Sequence, residues 1–199
     1  MNIYVETNFV FELVFQQEQH TTCESILRFC ESGGAYLIIP AYCLAEPHEK
    51  LTRQNNRRKE LQNVLNTELN QLARTASYSS RIYSIQDIAS LLVQSNEEER
   101  QRFEHYQERL LNVAEVIPLT AEILSTATAY KSIYNLTPQD AIVYTSVVFH
   151  LRQQAAVASC FLNKNSKDFD NPDIVDELSK RNCRMIPRFE QGYQFIQTR

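Results

Sequence analysis

The feature that most constrains this chain is an alternation of short apolar runs with segments of helical periodicity. The run Asn2–Val5 opens it, with β-branched Ile3 and Val5 flanking Tyr4, and reads as a buried strand. Phe9, Leu13 and Val14 then recur at helical spacing, so Asn8–Phe15 reads as a helix, followed by a second from about Thr22 to Glu31. Gly33 and Gly34 mark a turn into a second buried strand, Ala35–Ile39. A helix starts at Pro40, and Pro47 is expected to interrupt and kink it by removing a backbone hydrogen bond. After a long helical stretch, Ala114–Leu119 reads as a short strand or extended link, and Thr120 caps a helix running to Tyr134. Leu136–Leu151 reads as a helix, Ala155–Leu162 as a third buried strand, "NPDIVDELSK" as a short helix and Cys183–Ile186 as a last strand. Strands separated by helices predict an α/β class protein: an α/β/α sandwich with a mainly parallel central sheet.

Between Gln54 and Asn112 the pattern is helical and polar. Helices are expected near Arg57–Ala73, Gln86–Leu92 and Glu97–Leu111, with Tyr78–Ser84 as a loop. This stretch has too few large apolar residues for a core of its own. It reads as a helical insertion or arm, residues 54–113, within a single domain spanning 1–199.

Composition narrows the classes. Hydrophobic residues make up 43% of the chain, enough for a core, and three glycines argue against a turn-rich all-β fold. No apolar stretch approaches the ~18 residues that a membrane span needs. The N-terminus lacks the basic region of a secretory signal. Five cysteines without a CxxC pair read as buried thiols of a cytoplasmic protein. Four histidines form neither HExxH nor a Cys/His cluster, which argues against zinc. No G-x-G-x-x-G follows the first strand, which argues against a Rossmann-type nucleotide binder. The net charge of −4 argues against nucleic acid, yet Lys50, Arg53, Arg57, Arg58 and Lys59 fall within ten residues that hold no acid. That run is either a solvated helix face or a phosphate-binding strip.

Four carboxylates fall near the expected carboxyl ends of strands, where open parallel sheets bind ligands. Glu6 ends the first strand, at the junction of an apolar strand and an apolar helix, where a charge is costly to desolvate unless paired. Glu46 lies in the helix after the second strand, with Glu49 an equal candidate on spacing. Asp140 sits three residues after Thr137, where it serves either a capping box or a site. Asp168 follows the third buried strand and reads as a turn former or a ligand. Converging carboxylates are satisfied by hard divalent cations such as Mg²⁺ or Mn²⁺.

At these residues the sequence resembles the PIN-domain family, small metal-dependent ribonucleases that include bacterial VapC-type toxins. "YVETNFVFEL" is similar to the family's opening strand, acid, Thr-Asn and helix, and "LIIPAYCLAEPHEKL" to its second strand and helix-borne acid. "LTPQDAIVYTSVV" and "SCFLNKNSKDFD" resemble the segments bearing the third and fourth acids. The resemblance covers roughly residues 1–53 and 114–190. It implies an endoribonuclease whose catalytic and metal-binding residues are Glu6, Glu46, Asp140 and Asp168, with Mg²⁺ or Mn²⁺ as cofactor. Thr7, Asn163 and Asn165 would stand beside the site. Because the net charge is negative, RNA phosphates would be held by local basic strips, Lys164 and Lys167 with residues of the run Lys50, Arg53, Arg57, Arg58 and Lys59. The resemblance further implies a homodimer and an antitoxin protein as partner. Two departures stand out: Glu6 replaces the usual Asp, and Asn163 stands where Thr or Ser is common, beside an Asn165 that is Asp or Asn in the family. They leave open a PIN scaffold of weak or lost activity that binds RNA or a protein partner.

Overall fold

Strand β1 (Asn2–Val5) lies at the centre of a five-stranded sheet whose pairings are all parallel. The structure, a computed structural model, describes residues 1–155, 157–164, 169 and 171–198, without the side chains of 79–81 and 83–89. Beside β1 run β2 (Tyr36–Pro40) on one side and β4 (Ser159–Leu162) on the other. β3 (Glu115–Ile117) extends the sheet beyond β2, and β5 (Cys183–Ile186) beyond β4, in the order β3-β2-β1-β4-β5. Ile3, Tyr4 and Val5 are wholly buried, as a strand covered on both faces requires. All five cysteines are free thiols in the core.

Among the described residues eight helices cover the sheet: α1 (Thr7–Phe15), α2 (His20–Glu31), α3 (Ala41–Leu72), α4 (Ser79–Val113), α5 (Ala121–Tyr134), α6 (Pro138–Gln153), α7 (Pro172–Ser179) and α8 (Phe189–Gln197). Thr120 and Thr137 cap α5 and α6 through their side-chain oxygens. Gly33, at φ 81°, turns the chain from α2 into β2 through the left-handed region open to glycine. At the other end of the chain, a side chain at Gly192 would meet Leu162 at 2.5 Å, so glycine is what lets α8 lie against β4. Helix α8 had no counterpart in the sequence reading.

The polar stretch departs from its expected layout. Pro47 does not interrupt α3, which continues through it to Leu72 with the proline buried. The turn falls at residues 73–78 rather than Tyr78–Ser84, and the two later helices are one, α4. Its middle is held by polar contacts to α3: Arg58 forks onto Glu99 at 2.7 and 3.0 Å and reaches Asn96 at 2.8 Å, while Asn96 donates to Asn55 at 3.0 Å. The far half of α4 joins the main core, where Phe103, Tyr106 and Leu110 are buried. Arg109 ties it to Glu24 and Glu31 on α2.

The sheet order sets where a site can form. From β1 the chain builds outward to β2 and β3 on one side, then returns to lay β4 and β5 on the other. The topological switch point therefore lies between β1 and β4, at the carboxyl ends of those strands. Val5 and Leu162 are paired there, so Glu6 and Asn163 leave the sheet side by side.

Candidate active site

Glu6 stands at that crevice as the N-cap of α1 and is only 6% exposed. Its Oε2 accepts the Asn8 backbone N–H at 2.8 Å, in the usual manner of a cap. Its Oε1 accepts the Lys164 backbone N–H at 3.1 Å, from the chain just beyond β4. Burial pushes its carboxyl up to about 7, against the pull of these N–H donors, and the nearby Asp140 charge adds to the rise.

Thr7 follows directly and aims its hydroxyl across the crevice, donating to Glu46 Oε2 at 2.6 Å. Glu46 reaches this point from the second turn of α3, which starts where β2 ends. Glu49 is exposed, 3.9 Å from Arg53, so of the two acids equal by spacing it is Glu46 that faces Thr7. Asp140 enters from the first turn of α6. Its backbone N–H donates to Thr137 Oγ1 at 3.1 Å, and that hydroxyl donates to Asp140 Oδ2 at 2.5 Å. The cap of α6 is thus Thr137, and the Asp140 carboxylate is its partner.

Glu6, Thr7, Asn8, Phe11, Glu46 and Asp140 line one cleft of about 230 Å³. Three carboxylates that are up to 134 residues apart in the chain thus surround a single cavity, with the Thr7 hydroxyl beside them. An all-oxygen donor set of this kind suits Mg²⁺ or Mn²⁺, which bind through one or two carboxylates and keep several waters. Among the described residues no three His, Cys, Asp or Glu side chains are gathered closely enough to grip an ion unaided. Asn163 is buried at the end of β4, its backbone N–H donating to Ile186 O at 3.1 Å. Asp168, Asn165 and Lys167 lie outside the described residues.

The basic residues are not one strip. Lys50 places its Nζ 3.7 Å above the Phe11 ring, on the wall of the acidic cleft. Arg53 and Arg57 follow on α3 and line a second cleft of about 640 Å³ with His48. Lys59 faces the groove between α3 and α4, and Arg58 is spent on Glu99 and Asn96. Lys164 turns its ammonium onto Glu12, with Nζ 2.5 Å from Oε1, and onto Glu18 at 3.2 Å.

Glu12 was missed in the sequence, although a carboxylate inside the apolar run "FVFELVF" was a signal of the same kind as Glu6. It is wholly buried, and its second oxygen accepts the Gln19 N–H at 2.7 Å. Both oxygens are therefore satisfied, as a buried charge requires.

The profile of a family described as "PIN domain" matches residues 3–169. No curated protein matches the chain. A solved structure of VapBC2 from Rickettsia felis, bound to a DNA fragment from its promoter, is similar over 94% of this chain and 98% of its own, with 10% identity and a TM-score of 0.45. Among the described residues no helix is long and apolar enough to cross a membrane.

Proposed function

This chain belongs to the PIN-domain family, and on that basis we propose that it is a metal-dependent endoribonuclease that hydrolyses RNA phosphodiesters. The observation that carries the reading is the convergence of Glu6, Glu46 and Asp140 on one cleft at the switch point of the sheet. These three, with Asp168 from the chain beyond β4, are the metal-binding and catalytic set for Mg²⁺ or Mn²⁺. An ion held there would supply Lewis-acid chemistry for phosphodiester hydrolysis, namely a lowered pKa for the attacking water and charge stabilisation at the leaving oxygen. Thr7 holds Oε2 of Glu46 and so orients its carboxylate.

RNA follows α3 away from the cleft. Glu46, Lys50, Arg53 and Arg57 are spaced by four, three and four residues and so share one face of the helix. Lys50 to Arg57 spans roughly 10 Å of helix axis, enough for two to three cations to meet successive phosphates. An antitoxin protein and a second copy of the chain are the partners that membership of a family containing VapC-type toxins supports.

A second reading is favoured by Glu6 itself. Both of its oxygens accept backbone N–H groups, and its carboxyl is pushed up to about 7, so it serves well as a neutral or half-charged cap. On that reading the chain is a PIN scaffold that binds RNA or a protein partner without cleaving.

The deciding experiment incubates a panel of structured RNAs with Mn²⁺, Mg²⁺ or EDTA, comparing wild type with Asp140→Asn. The nuclease reading expects cleavage that needs the ion and is lost in the variant. RNA binding without cleavage under any ion would support the scaffold, and cleavage that persists in EDTA would overturn the metal-dependent reading.

A further inference from the structure

We propose that Glu12 is a positioning residue for Glu6, acting through Lys164, and that Lys164 therefore serves the site from behind rather than by holding RNA. The inference rests on the reading of Glu6 as a metal-binding residue.

Lys164 touches α1 at two points. Its backbone N–H donates to Glu6 Oε1 at 3.1 Å, and its side-chain ammonium lies 2.5 Å from Glu12 Oε1. Glu6 is the cap of α1 and Glu12 lies about one and a half turns into it, so Lys164, beyond β4, is strapped to two points of one rigid segment. Glu12 cannot swing away to release it. Its side chain has no exposed surface, and its other oxygen is held by the Gln19 N–H. Leaving that carboxylate without a cation would strand a buried charge, so the ion pair holds its geometry firmly.

The consequence falls on the Glu6 carboxylate. Its two oxygens are aimed by two backbone N–H donors, one from α1 itself and one from Lys164, with the Asn8 side chain as a further local contact. The first is local and fixed by the helix; the second exists only while Lys164 stays in place. Outer hydrogen-bond partners of this kind set the orientation of a metal-binding carboxylate and affect affinity on the order of 10–100-fold. The Lys164 ammonium, already shared between Glu12 and Glu18, has little left to offer a phosphate.

The test uses the full chain with Glu12→Gln, Lys164→Met, the double variant Glu12→Gln/Lys164→Met and the conservative Lys164→Arg. Calorimetric titration with Mn²⁺ should show affinity weakened about 10–100-fold in both single variants. The double variant should lose no more than either single one, because both act through one contact, and Lys164→Arg should stay near wild type. In EDTA, the Lys164 amide should exchange its hydrogen at least about tenfold faster in the Met and Gln variants, read as a loss of local protection. The salt dependence of RNA binding should not change. The double variant, which strands no buried charge, keeps the test open should Lys164→Met fail to fold. Mn²⁺ affinity and Lys164 exchange both unchanged in folded variants would overturn the proposal. So would a salt slope flattened by about 0.7 in Lys164→Met, the mark of a lost phosphate contact. If the wild type itself binds no Mn²⁺, the metal reading of Glu6 fails, while the exchange measurement still decides whether Glu12 holds the Lys164 amide on Glu6.

Discussion

The Thr7 hydroxyl donates to Glu46 Oε2 at 2.6 Å and thereby fastens the start of α1 to α3 across 39 positions of sequence. Thr7→Val keeps the shape and removes the donor. It should cost about 1 kcal/mol, a fall of roughly 2–4 °C in melting temperature. If Glu46 works in the cleft, RNA cleavage should also fall by about tenfold or more, and Thr7→Ser should retain it. Cleavage unchanged in Thr7→Val would remove Glu46 from the reaction.

Asp140 is separable from the cap it resembles. Thr137 supplies the side-chain oxygen that caps α6, and Asp140→Asn leaves it in place. The variant loses a helix-dipole interaction of about 0.3–1 kcal/mol, offset by relief of repulsion from Glu6. It should therefore melt level with or above wild type in EDTA. In the wild type, Mn²⁺ at 100 times its Kd should add about 2.7 kcal/mol, a rise of roughly 5–11 °C, and the variant should lose most of it. Thermal melts of both proteins with and without Mn²⁺ measure this. An equal rise in the two would leave Asp140 a helix-start residue only.

The buried Glu6 makes stability depend on pH with a definite sign. Burial raises its carboxyl from an ordinary 4.5 to about 7, so the folded state holds the proton more tightly than the unfolded chain. The stabilisation is complete below about pH 4.5 and is lost as pH rises through 7, a change on the order of 3 kcal/mol. Glu6→Gln cannot titrate. In EDTA, the melting temperature of wild type should therefore fall relative to that of Glu6→Gln between pH 5 and 8. Parallel pH profiles for the two proteins would show that Glu6 titrates as an ordinary exposed acid.

The basic run should divide by face. Arg58, forked onto Glu99, should cost about 1.5–3 kcal/mol when changed to Ala, with no effect on the salt slope of RNA binding. Arg53→Ala and Arg57→Ala should barely move stability, and each should flatten that slope by about 0.7. Melting curves and binding measured between 50 and 200 mM salt separate the two classes. A flattened slope for Arg58→Ala would mean that its pairing with Glu99 opens to admit RNA.

Local chemistry explains what could be read early. Strands β1 and β5 fall on their expected residues, and Thr120 and Thr137 cap the expected helices, because burial period and capping need only near neighbours in the chain. Glu6 was visible for the same reason: a carboxylate between an apolar strand and an apolar helix is anomalous wherever the rest of the chain goes. The sequence separates helices near Gln86–Leu92 and Glu97–Leu111, and Asn96 lies between them. Arg58 and Asn55 on α3 turn Asn96 into an interface group instead.

Sequence alone thus determined the alternation of strands and helices, the parallel sheet it builds and the anomaly at Glu6. Tertiary structure decided which acids share a cleft and which cations are spent. Glu46 and Glu49 are equivalent by composition and nearly so by spacing, and only the rotation of α3 against α1 turns Glu46 to Thr7. Lys164 and Glu12 are 152 positions apart, and Arg58 and Glu99 are 41 apart. A charge is free or paired according to what the fold brings within about 4 Å of it, and over such separations no local pattern encodes that distance.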